Sequence, residues 1–113
     1  HHGGSDHSGR YIEFASRLNQ AGFVVVAHDS RGNGRTATAE GASGLGIIVS
    51  GAEGPVERLV MDFTELLRKT QREHPDLPLV VFGHSFGTIV SQLCVGAGAG
   101  GVPLRGLVLS APR

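Results

Sequence analysis

The segment GHSFG at residues 83–87 is the part of this sequence best suited to chemistry; its members are Gly83, His84, Ser85, Phe86 and Gly87. Glycines two residues before and two residues after the serine leave room for a strained turn that holds its hydroxyl clear of neighbouring side chains. An apolar run precedes the turn, and helical spacing follows it. The sequence therefore predicts a strand–turn–helix that presents Ser85 as a nucleophile toward a carbonyl carbon.

The backbone amide of Phe86 would open the helix after this turn. There its N–H points to where negative charge develops on a tetrahedral intermediate, and the helix dipole assists it. We expect a second such donor from a glycine-rich turn after another strand, and His2-Gly3-Gly4-Ser5 fits that description. Under an alternative interpretation, Ser85 only caps the helix. His84 adjoins the nucleophile too closely to turn its ring toward it, so we expect it to support the site.

Three short apolar runs must supply the strands that position these groups. Phe23–Ala27, Leu79–Phe82 and Leu107–Leu109 are apolar on both faces, which is typical of interior strands of a parallel sheet. Because these runs alternate with helical segments, the predicted fold class is α/β with parallel strands and flanking helices.

The predicted helices cover 11–21, 55–74 and 86–95, where apolar residues recur with helical spacing. Tyr11 belongs to the apolar stripe of the first helix, so we expect it to pack in the core. Residues 30–55 show neither helical nor alternating spacing and predict an extended loop. Asp29 and Arg31 precede and open that loop, where they would shape the floor of the site, form a turn or face solvent. Their types alone do not separate these three roles.

Composition excludes several classes of protein. Ten Lys plus Arg balance ten Asp plus Glu, so the charge gives no reason to expect a nucleic-acid partner. A single cysteine rules out an internal disulfide and a cysteine-rich zinc site, and we expect neither metal nor cofactor. No apolar run approaches the roughly 20 residues of a membrane helix. We expect a cytoplasmic protein and leave peripheral membrane contact open.

Three segments resemble motifs of one family. HGGSDHSGRY at 2–11 resembles the H-G-x-G-E-H-S-G-R-Y stretch that follows the third strand in monoacylglycerol lipases and lysophospholipase-type α/β-hydrolases. HDSRGNGRT at 28–36 resembles the family's H-D-x-x-G-H-G-x-S loop, and GHSFG at 83–87 resembles its GHSMG. The chain is identified as a member of this group, which includes serine aminopeptidases of the S33 type. It departs from the family pattern at Ser5, Asp6, Asn33 and Thr36.

The resemblance implies roles for the glycine-rich turn. Gly4 would carry the second oxyanion N–H, Gly3 would let the backbone approach closely, and His2 would support the turn. Ser85 would form an acyl-enzyme with carboxylic esters of lipid alcohols, such as monoacylglycerol or lysophospholipid. A general esterase, a thioesterase, a serine peptidase and a noncatalytic truncated product are the alternatives. A nucleotide-binding module is disfavoured because the chain lacks both G-x-G-x-x-G after a strand and a P-loop lysine.

The family's acid and base follow the nucleophile in the chain, as Ser, Asp or Glu, and then His. Residues 86–113 contain no Asp, Glu or His, so the triad partners are not in this chain where the family places them. The family's central strand before the His-Gly turn is also missing, as are its later strands and its lid. We therefore expect 1–113 to be a partial α/β-hydrolase domain that is inactive by itself.

Overall fold

The computed structural model describes residues 1–39, 41–42, 44–48 and 51–112. Its elements follow in the order α1 Ile12–Gln20, α2 Gly34–Thr38, α3 Pro55–Glu73, β1 Leu79–His84, α4 Phe86–Gly96 and β2 Leu104–Ser110, with 3₁₀ turns at Ser8–Tyr11 and Ala99–Gly101. None of the helices in the described part is long and apolar enough to cross a membrane.

The sheet consists of β1 and β2, which run parallel as predicted. Val81 pairs with Leu107, and His84 pairs with Ser110 at the carboxyl end. A parallel pair needs a crossover connection, and α4 supplies it. Residues 83–87 therefore lie where β1 passes into the crossover helix, as the sequence predicts.

The core lies between this sheet and the two long helices. Pro55 opens α3, Glu57 stands in its first turn and Arg72 in its last, so both helix ends carry favourable residues. Leu59, Phe63 and Leu67 recur every four residues and form its buried stripe. The buried cluster comprises Leu59, Phe63, Leu67, Val81, Val90, Cys94, Ala99 and Val102.

The prediction of an interior strand at Phe23–Ala27 is wrong for the structure as described. The segment belongs to no sheet among the described residues, and Phe23, Val24 and Val26 are 56%, 58% and 45% exposed. A strand needs backbone hydrogen bonds to a neighbouring strand. On the side of β1 away from β2, the described residue that makes such bonds is His1. The His1 carbonyl oxygen accepts from the His84 N–H at 3.1 Å, and the His1 nitrogen donates to the Phe82 carbonyl.

The extended loop predicted at 30–55 contains a short helix, α2, which is a second correction. The sequence does not predict α2 because glycine and threonine, which make up three of its five residues, are poor helix formers. The helix is held by tertiary hydrogen bonds instead, since the Arg35 N–H donates to the carboxylate of Asp29 at 2.8 Å.

Helix α1 lies on the face of the sheet opposite α3 and α4. Successive strand residues point to opposite faces, so Phe82 faces away from buried Val81. Its ring contacts that of Phe14 on α1, with centroids 5.0 Å apart. The predicted stripe of α1 thus faces the sheet, although no residue of α1 is fully buried.

Substitution of Phe63 tests the core. Phe63→Ala should lower the free energy of unfolding by about 3–5 kcal/mol, because it leaves a cavity at the centre of the buried cluster. Met61→Ala on the same helix is the matched control, since Met61 is 53% exposed. Urea unfolding measures both. Equal losses for the two variants would contradict this placement of the core.

Candidate active site

Ser85 occupies a strained turn between β1 and α4. Its backbone has φ 50° and ψ −121°, a conformation that residues with a side chain rarely adopt. The Ser85 N–H donates to the carbonyl of Ser110 at the end of β2, 2.9 Å away. The neighbouring strand therefore satisfies the backbone of the turn and holds it in this conformation.

The two glycines of the segment are required by close packing. A Cβ on Gly83 would lie 2.7 Å from Ser91 Oγ and 2.8 Å from the Gly87 carbonyl oxygen. A Cβ on Gly87 would collide with the carbonyl oxygens of His1 and His2. Real Cβ contacts are not this short, so a side chain at either position must displace backbone. Both glycines of the G-x-S-x-G pattern therefore stand where there is no room for a side chain.

The Ser85 side chain is half-buried and makes no capping hydrogen bond to α4. The alternative that this serine serves as a helix cap is therefore wrong. The hydroxyl stands at the N-terminus of an eleven-residue helix, where the field favours negative charge.

The glycine-rich turn lies directly against Ser85 and Phe86. A Cβ built on Gly3 would be 3.3 Å from Ser85 Cβ, and one built on Gly4 would be 3.7 Å from Phe86 Cβ. Gly3 is buried, whereas Gly4 is exposed. The structure thus brings the two residues predicted to donate to an oxyanion, Gly4 and Phe86, beside Ser85.

His2 anchors this turn from below and is 4% exposed. Its Nε2 accepts from the Ser30 N–H at 2.9 Å, so the ring proton is assigned to Nδ1. Nδ1 lies 2.7 Å from the Gly3 carbonyl oxygen, to which it donates. The imidazole therefore links the turn to the loop after residue 27 and is not available to Ser85.

Asp29 joins the same two loops through its carboxylate. Oδ1 accepts from the Ser8 N–H at 2.7 Å, and Oδ2 accepts from the Arg35 N–H at 2.8 Å. Burial raises the pKa of Asp29, but these donors outweigh it and lower the pKa to about 2. Of the three roles left open for Asp29, the structure shows turn formation. Arg31 makes a bidentate ion pair with Asp62 on α3.

His84 points to the opposite face of the sheet from buried Gly83. Its Nδ1 lies 3.1 Å from Ser110 Oγ, and its ring meets the edge of the Tyr11 ring at a centroid distance of 6.2 Å. His84 thus contacts β2 and the residue that precedes α1.

Tyr11 has a polar contact that the sequence analysis missed. Its hydroxyl donates to Asp6 Oδ2 at 2.8 Å, so the expectation of simple core packing for Tyr11 is wrong. Burial raises the pKa of Tyr11 to about 12, with help from the hydrogen bond and charge of Asp6, while the Gly3 N–H and Arg10 act the other way. Helical spacing treats Tyr11 as an apolar position and therefore does not predict this hydrogen bond. The signal in the sequence that could have indicated it is an acidic residue, Asp6, five residues before the tyrosine.

No histidine or carboxylate is hydrogen-bonded to Ser85 within the described ranges. His1, His2 and His28 converge on Ser30 instead. Burial, followed by nearby positive charge, lowers the pKa of His28 to about 4. Two cavities of about 230 and 370 Å³ lie around His28 and Asp62, and Ser85 lines neither of them. No group of three or more His, Cys, Asp or Glu among the described residues could hold a metal ion.

Comparison with known proteins gives consistent results. Residues 1–113 match the family described as serine aminopeptidase, S33. The chain is 36% identical to a monoacylglycerol lipase of Mycolicibacterium smegmatis over 76% of its length, and 33% identical to the monoglyceride lipase of Homo sapiens over 99%. It spans only 27% and 35% of those two relatives.

A solved structure is also similar. It is a highly thermostable carboxyl esterase from Bacillus coagulans in complex with glycerol, 38% identical, with a TM-score of 0.78. The match covers 96% of this chain and 33% of the esterase.

A side chain at position 87 should disrupt the junction between the segment 83–87, which we call the elbow, and the glycine-rich turn. Gly87→Ala is expected to lower the free energy of unfolding by about 2 kcal/mol or more, because the new Cβ must push the backbone of His1 and His2 away. Gly96→Ala is the matched control on α4, where a Cβ meets nothing within 4 Å. It should be neutral or stabilise by up to about 1 kcal/mol. Chemical denaturation measures both, and a neutral Gly87→Ala would refute the close approach.

Removal of the Asp29 charge should change how stability depends on pH. The folded pKa lies below the ordinary value, so this carboxylate stabilises the fold above about pH 4 and loses that effect as pH falls toward 2. Asp29→Asn should therefore cost about 1–3 kcal/mol at pH 6, and the difference from the unsubstituted protein should shrink in acid. Thermal unfolding between pH 2 and pH 7 checks this, with Asp76→Asn as the exposed control. A loss of stability that does not change with pH would contradict the hydrogen bonds from Ser8 and Arg35 to the Asp29 carboxylate.

Proposed function

Because the chain belongs to the serine aminopeptidase S33 family of α/β-hydrolases, we propose that it carries the nucleophile and the oxyanion donors of a serine hydrolase that cleaves carboxylic esters. The observation that carries this proposal is the positive φ of Ser85 at the strand–helix junction, directly against the Gly3–Gly4 turn. This geometry supports the proposal because it puts the hydroxyl at a helix N-terminus next to a glycine-rich turn, an arrangement that suits attack on a carbonyl carbon.

In the proposed reaction Ser85 Oγ attacks the ester carbonyl carbon while a base takes its proton. The carbonyl electron pair moves to oxygen, and collapse of the intermediate re-forms the carbonyl and breaks the bond to the alcohol oxygen. The protonated base supplies the leaving alcohol with its proton. Water then repeats the sequence on the acyl-enzyme, releasing the carboxylic acid and returning the proton to Ser85.

The Phe86 and Gly4 N–H groups would bind the negative oxygen in each intermediate. Phe86 is the first residue of α4, so its N–H has no partner within the helix. Gly4 is exposed at the surface of its turn, where a substrate oxygen can reach it. Loss of one donor of this kind typically costs 10²–10³-fold in rate.

The base and its orienting carboxylate would come from outside residues 1–113. No described histidine bonds to Ser85, and residues 86–113 contain no Asp, Glu or His. The relatives are about three times as long as the aligned region, which leaves ample chain for both groups. Residues 1–113 would then be a partial domain that has little activity by itself.

We propose monoacylglycerols or similar esters of lipid alcohols as substrates. Support comes from two relatives named as monoacylglycerol or monoglyceride lipases, and from the similar esterase, which was solved with glycerol. Short-chain esters, thioesters and peptides are the competing substrates, the last because of the family's description. A lipid substrate would bring the protein to a membrane surface.

Replacement of the nucleophile tests the proposal. A fluorophosphonate probe should label Ser85 in the full-length gene product that carries these residues, and Ser85→Ala should lose both the label and ester hydrolysis. Mass spectrometry of the labelled peptide identifies the residue. Ser16 is an exposed serine on α1, so Ser16→Ala is the matched control and should keep both probe labelling and ester hydrolysis.

Two results would contradict parts of the proposal. Full labelling of residues 1–113 alone would show that they contain a working base. A full-length product that neither reacts with the probe nor cleaves esters would favour the noncatalytic alternative.

A further inference from the structure

The only tyrosine of the chain binds the residue that follows the glycine-rich turn. Its hydroxyl donates to Asp6 Oδ2 at 2.8 Å. Asp6 comes two residues after Gly4, the proposed oxyanion donor. The hydroxyl group thus fixes the chain at the end of the turn that carries this donor.

The carboxylate that accepts from the Tyr11 hydroxyl is itself held in place. Asp6 Oδ1 accepts from the His7 N–H at 2.9 Å and faces Arg10 Nη1 at 3.6 Å, and its side chain is only 14% exposed. A phenol bound to an ionised carboxylate makes a charge-assisted hydrogen bond, which is stronger than a neutral one. The contact therefore restrains the turn more firmly than its small area suggests.

The Tyr11 ring is fixed from the other side by the elbow itself. It meets the ring of His84, the residue before Ser85, and His84 Nδ1 in turn lies 3.1 Å from Ser110 Oγ. Tyr11 therefore contacts both parts of the site: its ring lies against His84 of the 83–87 segment, and its hydroxyl binds Asp6 at the end of the glycine-rich turn.

We propose that Tyr11 is a positioning residue for the ester hydrolysis proposed above: its hydroxyl, hydrogen-bonded to Asp6, holds the Gly4 amide at its distance from Ser85 and Phe86. The turn needs such a restraint because Ser5 has φ 54°, a strained conformation for serine. Without the restraint the turn can relax and carry the Gly4 N–H away from the oxyanion.

The proposal rests on the proposed function and predicts a particular kinetic change. An amide that binds the oxyanion acts mainly in the transition state, so its displacement lowers kcat and leaves KM nearly unchanged. We expect Tyr11→Phe to lower kcat about tenfold, less than outright loss of a donor, with KM within about twofold. The phenyl ring keeps the contact with His84, so the substitution removes only the hydroxyl.

Steady-state kinetics of the full-length gene product on a soluble p-nitrophenyl ester measure this effect. Asp6→Ala should match the kcat loss of Tyr11→Phe, whereas Asp6→Asn keeps an oxygen acceptor and should restore most of the rate. In the double variant Tyr11→Phe with Asp6→Ala the losses should not add, because both remove the same hydrogen bond. Thr70→Val removes a hydroxyl bound to the Leu66 carbonyl on α3 and should leave kcat unchanged.

The outcomes separate this proposal from the one on which it rests. Unchanged kcat in Tyr11→Phe, or a tenfold rise of KM alone, would overturn the positioning role while ester hydrolysis dependent on Ser85 stands. Absence of Ser85-dependent hydrolysis in the unsubstituted protein would overturn the proposed function first. Additive losses in the double variant would show that Tyr11 and Asp6 act separately and would also overturn the proposal.

Discussion

The backbone of Ser85 holds a positive φ that a serine does not adopt without support, and most of the described structure near it supplies that support. β2 accepts the Ser85 N–H through the carbonyl of Ser110. On the opposite side of β1, the backbone of residues 1–4 lies against the same turn, close enough to exclude any side chain at Gly87. The strained residue is thus held between two packed neighbours, and its hydroxyl remains partly accessible.

Polar side chains, more than apolar contacts, join the loops around this turn. The imidazole of His2 links the glycine-rich turn to Ser30, and the carboxylate of Asp29 links residues 8 and 35. Both side chains bind backbone groups of loops that have no regular partners of their own, and such groups are costly to leave unpaired when buried. Histidine and aspartate are common catalytic residues, yet the polar atoms of His2 and Asp29 already bind the backbone of these loops. These two residues therefore hold the loops in place, whereas the Ser85 side chain makes no capping hydrogen bond.

The groups of the proposed reaction also fall into two sets, those that depend on backbone geometry and those that depend on a side chain from another loop. The proposed nucleophile and oxyanion donors would depend on backbone geometry, which short segments of chain and their packing create. A general base must reach Ser85 through a side chain on another loop, and in this fold that loop follows later strands. The segment at 23–27 is mostly exposed and has no strand partner among the described residues.

The sequence by itself determined the α/β class, β1, β2, α3 and α4, and the placement of Ser85 between a strand and a helix. These features depend on local periodicity and on glycine spacing, which short stretches of sequence carry. Only the tertiary structure decided that 23–27 has no strand partner among the described residues, that α2 is held by a hydrogen bond to the Asp29 carboxylate, and that the Tyr11 hydroxyl reaches Asp6. Strand pairing and side-chain hydrogen bonds join residues through space, so no local pattern records whether the partner is there.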